Sequence, residues 1–323
     1  MTARAMSGLS ITCRRAVAAV ALLAIALTGC TTSTVKPQVR AVDAATAKRL
    51  DGAWIAVVGE DREFSFSGEY RDSETQYGYQ MLYPAPNFVG FLAGVATHAA
   101  LQSAQNDAHL EAQRKISDEV LAPYRQVLGE IRVHEMFSSA LSMSESGAGT
   151  NLVVASSETA TPEVNLAAHA IMAQSRRALI VDLVAKVKDA SVSGDDGGYV
   201  HKIRVISDPV PAGNDSVNDY WLADDGGRLK QTVSSLLARA IDLFMADATR
   251  HLQPLRKKQL TARYQFGNEQ RRERAVLLEQ TCARQTLRTL RGWVLSVPVQ
   301  DNLKAEASCK GNEVASHREV PPA

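Results

Sequence analysis

Cysteine is scarce in this chain, with four in 323 residues: Cys13, Cys30, Cys282 and Cys309. Two isolated cysteines late in the chain lack the second pair that a structural zinc site needs. An excess of one charge is missing too, since 36 basic residues stand against 35 acidic ones. No global basic field is therefore available to recruit nucleic acid. No glycine-rich stretch ends in lysine and serine or threonine, which removes the phosphate-cradling loop. No Gly-x-Ser-x-Gly elbow occurs, and no internal repeat is evident. Only one long apolar run exists, and it lies at the amino terminus.

That run is Ala16 to Leu27, AVAAVALLAIAL, preceded by Arg4, Arg14 and Arg15 with no acid. Twelve residues make a helix of about 18 Å at 1.5 Å per residue. The hydrocarbon core of a bilayer is roughly 30 Å thick, so the run is short for a permanent span and fits the apolar region of an export signal. Leu27-Thr28-Gly29-Cys30 follows it. These four residues resemble the lipobox of bacterial lipoproteins. The resemblance covers the first thirty residues and implies cleavage between Gly29 and Cys30, a diacylglycerol on the Cys30 thiol, and acylation (palmitate) of the new amino group. Two or three acyl chains, at about 0.8 kcal/mol per buried methylene, anchor stably. It also implies a membrane partner reached through Cys30. Thr31, rather than aspartate, after the cysteine implies sorting to the outer membrane, facing the periplasm.

Cleavage would take away three arginines and no acid, leaving 33 basic against 35 acidic residues. Residues 1–29 thus read as a signal peptide, 30–41 as a lipidated polar tether, 42–303 as a mixed α+β domain, and 304–323 as a flexible tail. Cys13 departs with the signal and Cys30 is lipidated. Cys282 and Cys309, exported to an oxidising compartment, are expected to pair. Closing that loop would contribute roughly 3 to 4 kcal/mol on the chain-entropy view.

Along the mature part, Ala53 to Gly59 reads as a buried strand, with weaker strands at Glu63 to Tyr70 and Gly78 to Tyr83. Phe88 to Leu121 reads as a long helix, apolar in its first half, where Gly90 and Gly94 are four apart; Pro123 breaks it. His134 to Met143 reads as a short helix. Ala178 to Lys188 alternates strictly, with Leu179, Val181, Leu183, Ala185 and Val187 on one face and Asp182, Lys186 and Lys188 on the other, which predicts a half-buried strand. Ser193 to Gly198 is a turn and Tyr199 to Ser207 the returning strand. After Asp224-Asp225-Gly226-Gly227, Arg228 to Leu252 carries apolar residues at steps of three and four. Thr261 to Phe266 and Glu269 to Leu278 flank Gly267-Asn268 as a hairpin, and residues 284–297 read as one further strand. The expected class is α+β: an antiparallel sheet with hairpins packed against amphipathic helices, behind a cleaved signal helix.

Chemical signals are sparse, so no catalytic, cofactor or metal residue is nominated. His134-Glu135 lacks the second histidine of a zinc-protease helix. His98 and His109 are three turns apart, Ser142, Ser144 and Ser146 are loop residues, and Asp195 to Gly198 and Asp224 to Gly227 are tight turns rather than calcium loops. Arg271, Arg272, Arg274, Arg284, Arg288 and Arg291 crowd into one stretch with Trp293. The plainer expectation is surface arginines paired with Glu269, Glu273 and Glu279. The alternative is a basic strand face that grips acidic headgroups, the sacculus or an acidic partner.

The plan as a whole, a lipidated cysteine, a tether and a mixed sheet domain, looks like that of periplasmic assembly lipoproteins. Curli-secretion lipoproteins and activators of penicillin-binding proteins are parallels in architecture, and an uncharacterised proteobacterial envelope lipoprotein family is the nearest description. The resemblance implies a protein-interaction or assembly module with a protein partner or homo-oligomer and no nucleic acid. The alternatives are an envelope hydrolase, or a subunit of an assembly that inserts Phe88–Leu101 into a membrane.

Overall fold

A computed structural model describes residues 42, 44–51, 54–59, 62–69, 107–147, 151–154, 163–187, 199–213, 216–255 and 258–299. The signal and tether with Cys30, the Gly78 to Tyr83 strand, the Phe88 to Leu101 segment, the Ser193 to Gly198 turn and the tail with Cys309 lie outside them.

The alternating segment forms β5 (Leu179–Val187). It pairs antiparallel with β4 (Glu163–Met172) from Val164↔Val187 to Met172↔Leu179. On its other side it pairs antiparallel with β6 (Tyr199–Ile206), from Ile180↔Ile206 to Val187↔Tyr199. Around these three, β1 (Ile55–Val58) lies parallel to β4 and to β3 (Asn151–Val154), and β2 (Phe66–Gly68) runs parallel to the far half of β4. Beyond β6 comes β10 (Val294–Pro298), parallel to it. The antiparallel series β9 (Arg284–Thr289), β8 (Glu269–Gln280) and β7 (Leu260–Phe266) follows. The ten-stranded sheet therefore reads β3-β1-β4-β5-β6-β10-β9-β8-β7, with β2 beside β4. It is mixed and hairpin-rich, and the class is α+β.

Helices cover one face. They are α1 (Ala44–Leu50), α2 (Asp107–Leu121), α3 (Arg125–Glu130), α4 (Val133–Met143), α5 (Val217–Leu222) and α6 (Gly227–Ala248), with a 3₁₀ turn at Ala122–Tyr124 where Pro123 stops α2. The apolar stripe of α6, including Val233, Leu237, Ile241 and Phe244, meets Val181, Leu183, Ile203 and Val205 in the first core. The entry to α6 is tight: Asp224, Asp225 and Gly226 all take positive φ. At Gly226 a Cβ would lie 2.4 Å from Val127 Cγ1, so both the conformation and the space call for glycine.

The other face of β5 is not open to water. Ile180 and Ile206 join Ala262, Tyr264, Phe266, Ala275, Leu277, Leu287 and Trp293 in a second core. Strands far from β5 in the sheet order reach it because the sheet coils back on itself, as twisted sheets do. At the hairpin tip, a Cβ built on Gly267 would lie within 4 Å of Ser175, Arg177 and Ala173, in and beside the β4–β5 turn. This corrects the half-buried reading of β5, since Asp182 keeps only 1% of its surface. A second correction concerns 284–297, which is two strands. Leu290 to Gly292 turn between them, with Gly292 at φ 84 and Thr289 N–H donating to Trp293 O at 2.9 Å.

Candidate functional site

The β7–β8 hairpin turns through two residues, Gly267 and Asn268. Gly267 has φ +57, the sign that a type II′ turn requires at its first central position. The register is Phe266↔Glu269, Tyr264↔Arg271, Arg263↔Arg272 and Thr261↔Arg274. Strand alternation then sorts the side chains. Ala262, Tyr264, Phe266, Arg271 and Ala275 are buried, while Thr261, Arg263, Arg272 and Arg274 are exposed. Two arginines thus stand directly opposite each other on the outer face, with a third one step along. Like charges in that relationship destabilise a sheet.

The six arginines singled out by spacing separate into different environments. Arg271 lies over the Phe266 ring at 3.9 Å and pairs with buried Glu69, with Glu269 at 3.5 Å. Arg284 donates to the Ile206 carbonyl and, at 3.1 Å, to Ser296 Oγ. Burial pulls its pKa down, Asp208 opposing and Arg239 adding to the effect. Arg288 pairs with Asp247 near the end of α6. Arg291 is exposed in the β9–β10 turn.

The expected pairing holds in part, with Glu269 beside Arg271, whereas Glu279 is engaged elsewhere. Glu279 holds Arg239 at 2.8 Å and Glu269 approaches Arg271. Burial pushes the Glu273 carboxyl upward, against the pull of Arg291 and Arg204. Among the described residues, Arg263 and Arg272 have no carboxylate within ion-pair distance, and Arg274 reaches only Gln259, at 3.4 Å. The pairing expected from sequence is corrected for these positions, and Arg263 is the member that spacing did not find. It lies outside the arginine cluster, but strand alternation in LTARYQF and the two-residue turn together place it opposite Arg272.

Elsewhere several buried polar groups engage one another. Ser67 Oγ lies 2.7 Å from His169 Nε2, and Ser65 Oγ lies 2.8 Å from Nδ1. Asp182 is the register partner of His169, yet its two oxygens accept from Arg204 at 2.6 and 2.5 Å. Lys202 lies 5.4 Å from the Trp293 ring centre and Arg204 5.5 Å. Burial lowers the Lys202 pKa, with Asp182 opposing.

Ser144 and the backbone N–H of Ser146 both donate to Asp242, at 2.7 and 2.9 Å, while Ser142 donates to its own helix. His134 and Cys282 are exposed, Cys282 in the β8–β9 turn. Among the described residues no group of three or more His, Cys, Asp or Glu is placed to hold a metal ion, and no helix is long and apolar enough to cross a membrane. An open groove of about 450 Å³ lies between β2 and α2–α3, with Phe64, Phe66, Leu121 and Leu128 along it and Arg62, Glu63, Asp118 and Arg125 among its lining.

No family model, no curated protein and no solved structure matches the chain.

Proposed function

We propose that this chain is a lipid-anchored envelope lipoprotein that acts as a protein-interaction module, docking an acidic partner on the outer face of its β7–β8 hairpin. The single observation that carries the docking face is the exposed group Arg263, Arg272 and Arg274, with no carboxylate at ion-pair distance among the described residues. Guanidinium groups bind carboxylates through paired, charge-assisted hydrogen bonds. A surface that sets two of them opposite each other gains from an anion that separates their charges. The anchor rests on Leu27-Thr28-Gly29-Cys30 and its likeness to a lipobox. With residues 31–41 as a tether, the hairpin face would meet partners near the outer membrane.

The test is cross-linking in intact cells followed by mass spectrometry of the neighbours, comparing the wild type with the Arg263→Glu/Arg272→Glu variant. A dominant partner that is lost in the variant is the expected result. The same partner at the same yield in both would remove the docking face. For the anchor, Cys30→Ala should abolish incorporation of labelled palmitate, and incorporation that persists would overturn it.

A second reading, an envelope hydrolase, has one observation in its favour: the Ser67 to His169 hydrogen bond at 2.7 Å. In such a pair the imidazole would take the hydroxyl proton as Ser67 attacked an acyl carbon. A fluorophosphonate probe decides it, since labelling lost in Ser67→Ala would favour the enzyme and absence of labelling would dismiss it.

A further inference from the structure

The hairpin has a second property besides charge: its outer edge is a strand edge. β7 ends the sheet order, with β8 on one side and no strand on the other among the described residues. In a hairpin closed by a two-residue turn, the residues flanking the turn exchange hydrogen bonds, and every second pair does so after them. Phe266↔Glu269, Tyr264↔Arg271 and Ala262↔Glu273 are then the bonded pairs. The backbone N–H and C=O groups of Thr261, Arg263 and Gln265 point the other way, along the free edge. Among the described residues, no backbone hydrogen bond runs from these three to any element beyond β7–β8. With respect to the described residues, Arg263 therefore presents an open backbone edge and a guanidinium without a carboxylate at one point, with Arg272 beside it.

Edge strands usually carry charge that blocks pairing with other copies. Arg263 would do this here, because a second β7 laid alongside would bring its own Arg263 and Thr261 with no acid among the outward residues. The same arrangement favours a strand of opposite charge. We propose that β7 accepts an acidic, extended segment of a partner protein as an added strand, its main chain bonding the edge at Thr261, Arg263 and Gln265 and its carboxylates meeting Arg263, Arg272 and Arg274. Strand addition of this kind takes affinity from the main chain and selectivity from alternate side chains. It rests on the reading of this face as a docking face and specifies the partner's chemistry: glutamate or aspartate at every second position of a segment free to extend.

The experiment uses the full-length chain in detergent micelles and a fluorescent twelve-residue peptide alternating glutamate and valine, read by anisotropy at about 0.15 M salt, where charges further apart than roughly 8 Å are screened. Two further peptides carry methyl groups on alternate backbone nitrogens, one in each phase. The unmodified peptide should bind, one methylated phase should bind at least ten-fold more weakly, and the other phase should bind nearly as well. Arg263→Glu/Arg272→Glu, with its far-ultraviolet circular dichroism unchanged, should lower affinity for the unmodified peptide at least ten-fold. Equal binding of all three peptides would overturn strand addition while leaving the basic face standing as a purely electrostatic one. Binding of none of them overturns strand addition. If the cellular cross-links then also survive the double substitution, the docking face falls with it.

Discussion

Arg271 of β8 donates to Glu69, the residue after β2, and both side chains are nearly fully buried. The pair ties the coiled-over end of the sheet to its other half, and Glu69 also accepts from the Gln174 backbone N–H at 3.2 Å. Removing one partner strands a buried charge, which costs about 3 to 5 kcal/mol. Glu69→Ala should lower the unfolding free energy by that amount in urea denaturation. Replacing both residues, as Glu69→Leu/Arg271→Met, should restore most of the loss. An unchanged urea midpoint in Glu69→Ala would contradict the role assigned to the pair.

Arg263→Glu is expected to stabilise. It turns a like-charge pair with Arg272 into an opposite-charge pair, and cross-strand pairs contribute roughly 0.2 to 1 kcal/mol. The gain should shrink as salt is raised from 0.05 to 0.5 M. Thermal melts at the two salt concentrations check it, and a destabilised variant would mean that Arg263 has a structural partner.

Asp247 contributes to acid sensitivity. Burial alone would raise its carboxyl, but the His201 hydrogen bond and charge, with Arg288, hold it below the ordinary value. Its folded pKa lies below the unfolded one, so its contribution is complete above about pH 3.9. That contribution is lost as pH falls from there through the folded pKa. Wild-type stability should thus drop between pH 5 and 2 more steeply than that of Asp247→Asn, and parallel curves would count against this assignment.

Gly226→Ala meets two obstacles, a positive φ of 79° and the Val127 side chain 2.4 Å from the new methyl. A strained left-handed residue costs of order 1 to 3 kcal/mol. Adding Val127→Ala should recover the steric part and leave the backbone part. Calorimetry of the single and double variants separates the two, and a double variant no better than the single would assign the whole loss to φ.

Much of the fold was legible because period and turn chemistry agree locally. Leu179 to Val187 alternates, Gly267-Asn268 marks its hairpin, and the stripe on α6 repeats at helical steps. What sequence could not carry is long range. Asp182 looked solvent-facing because nothing near it in sequence shows that β7–β10 coil over its face. The turn at Leu290 to Gly292 was hidden inside an apolar run, TLRGWVLSV, whose glycine takes φ 84. At the candidate site, the arginine cluster was plain in the sequence, but its division into buried Arg271 and exposed Arg272 and Arg274 follows from strand parity. Arg263 entered the patch only through register with β8.

β10, the last strand of the sheet among the described residues, sits in its middle, flanked by β6 and β9. Until Pro298 has been synthesised, β6 keeps an open edge and the meander β7–β9 has nothing to pair with through β9. Long-range closure of this type slows folding, and the waiting edges are ones on which other chains can pair. A chain that stops short of Val294 would therefore leave two half-sheets with no seam between them, and protection of its apolar strands would fall to whatever holds the nascent protein.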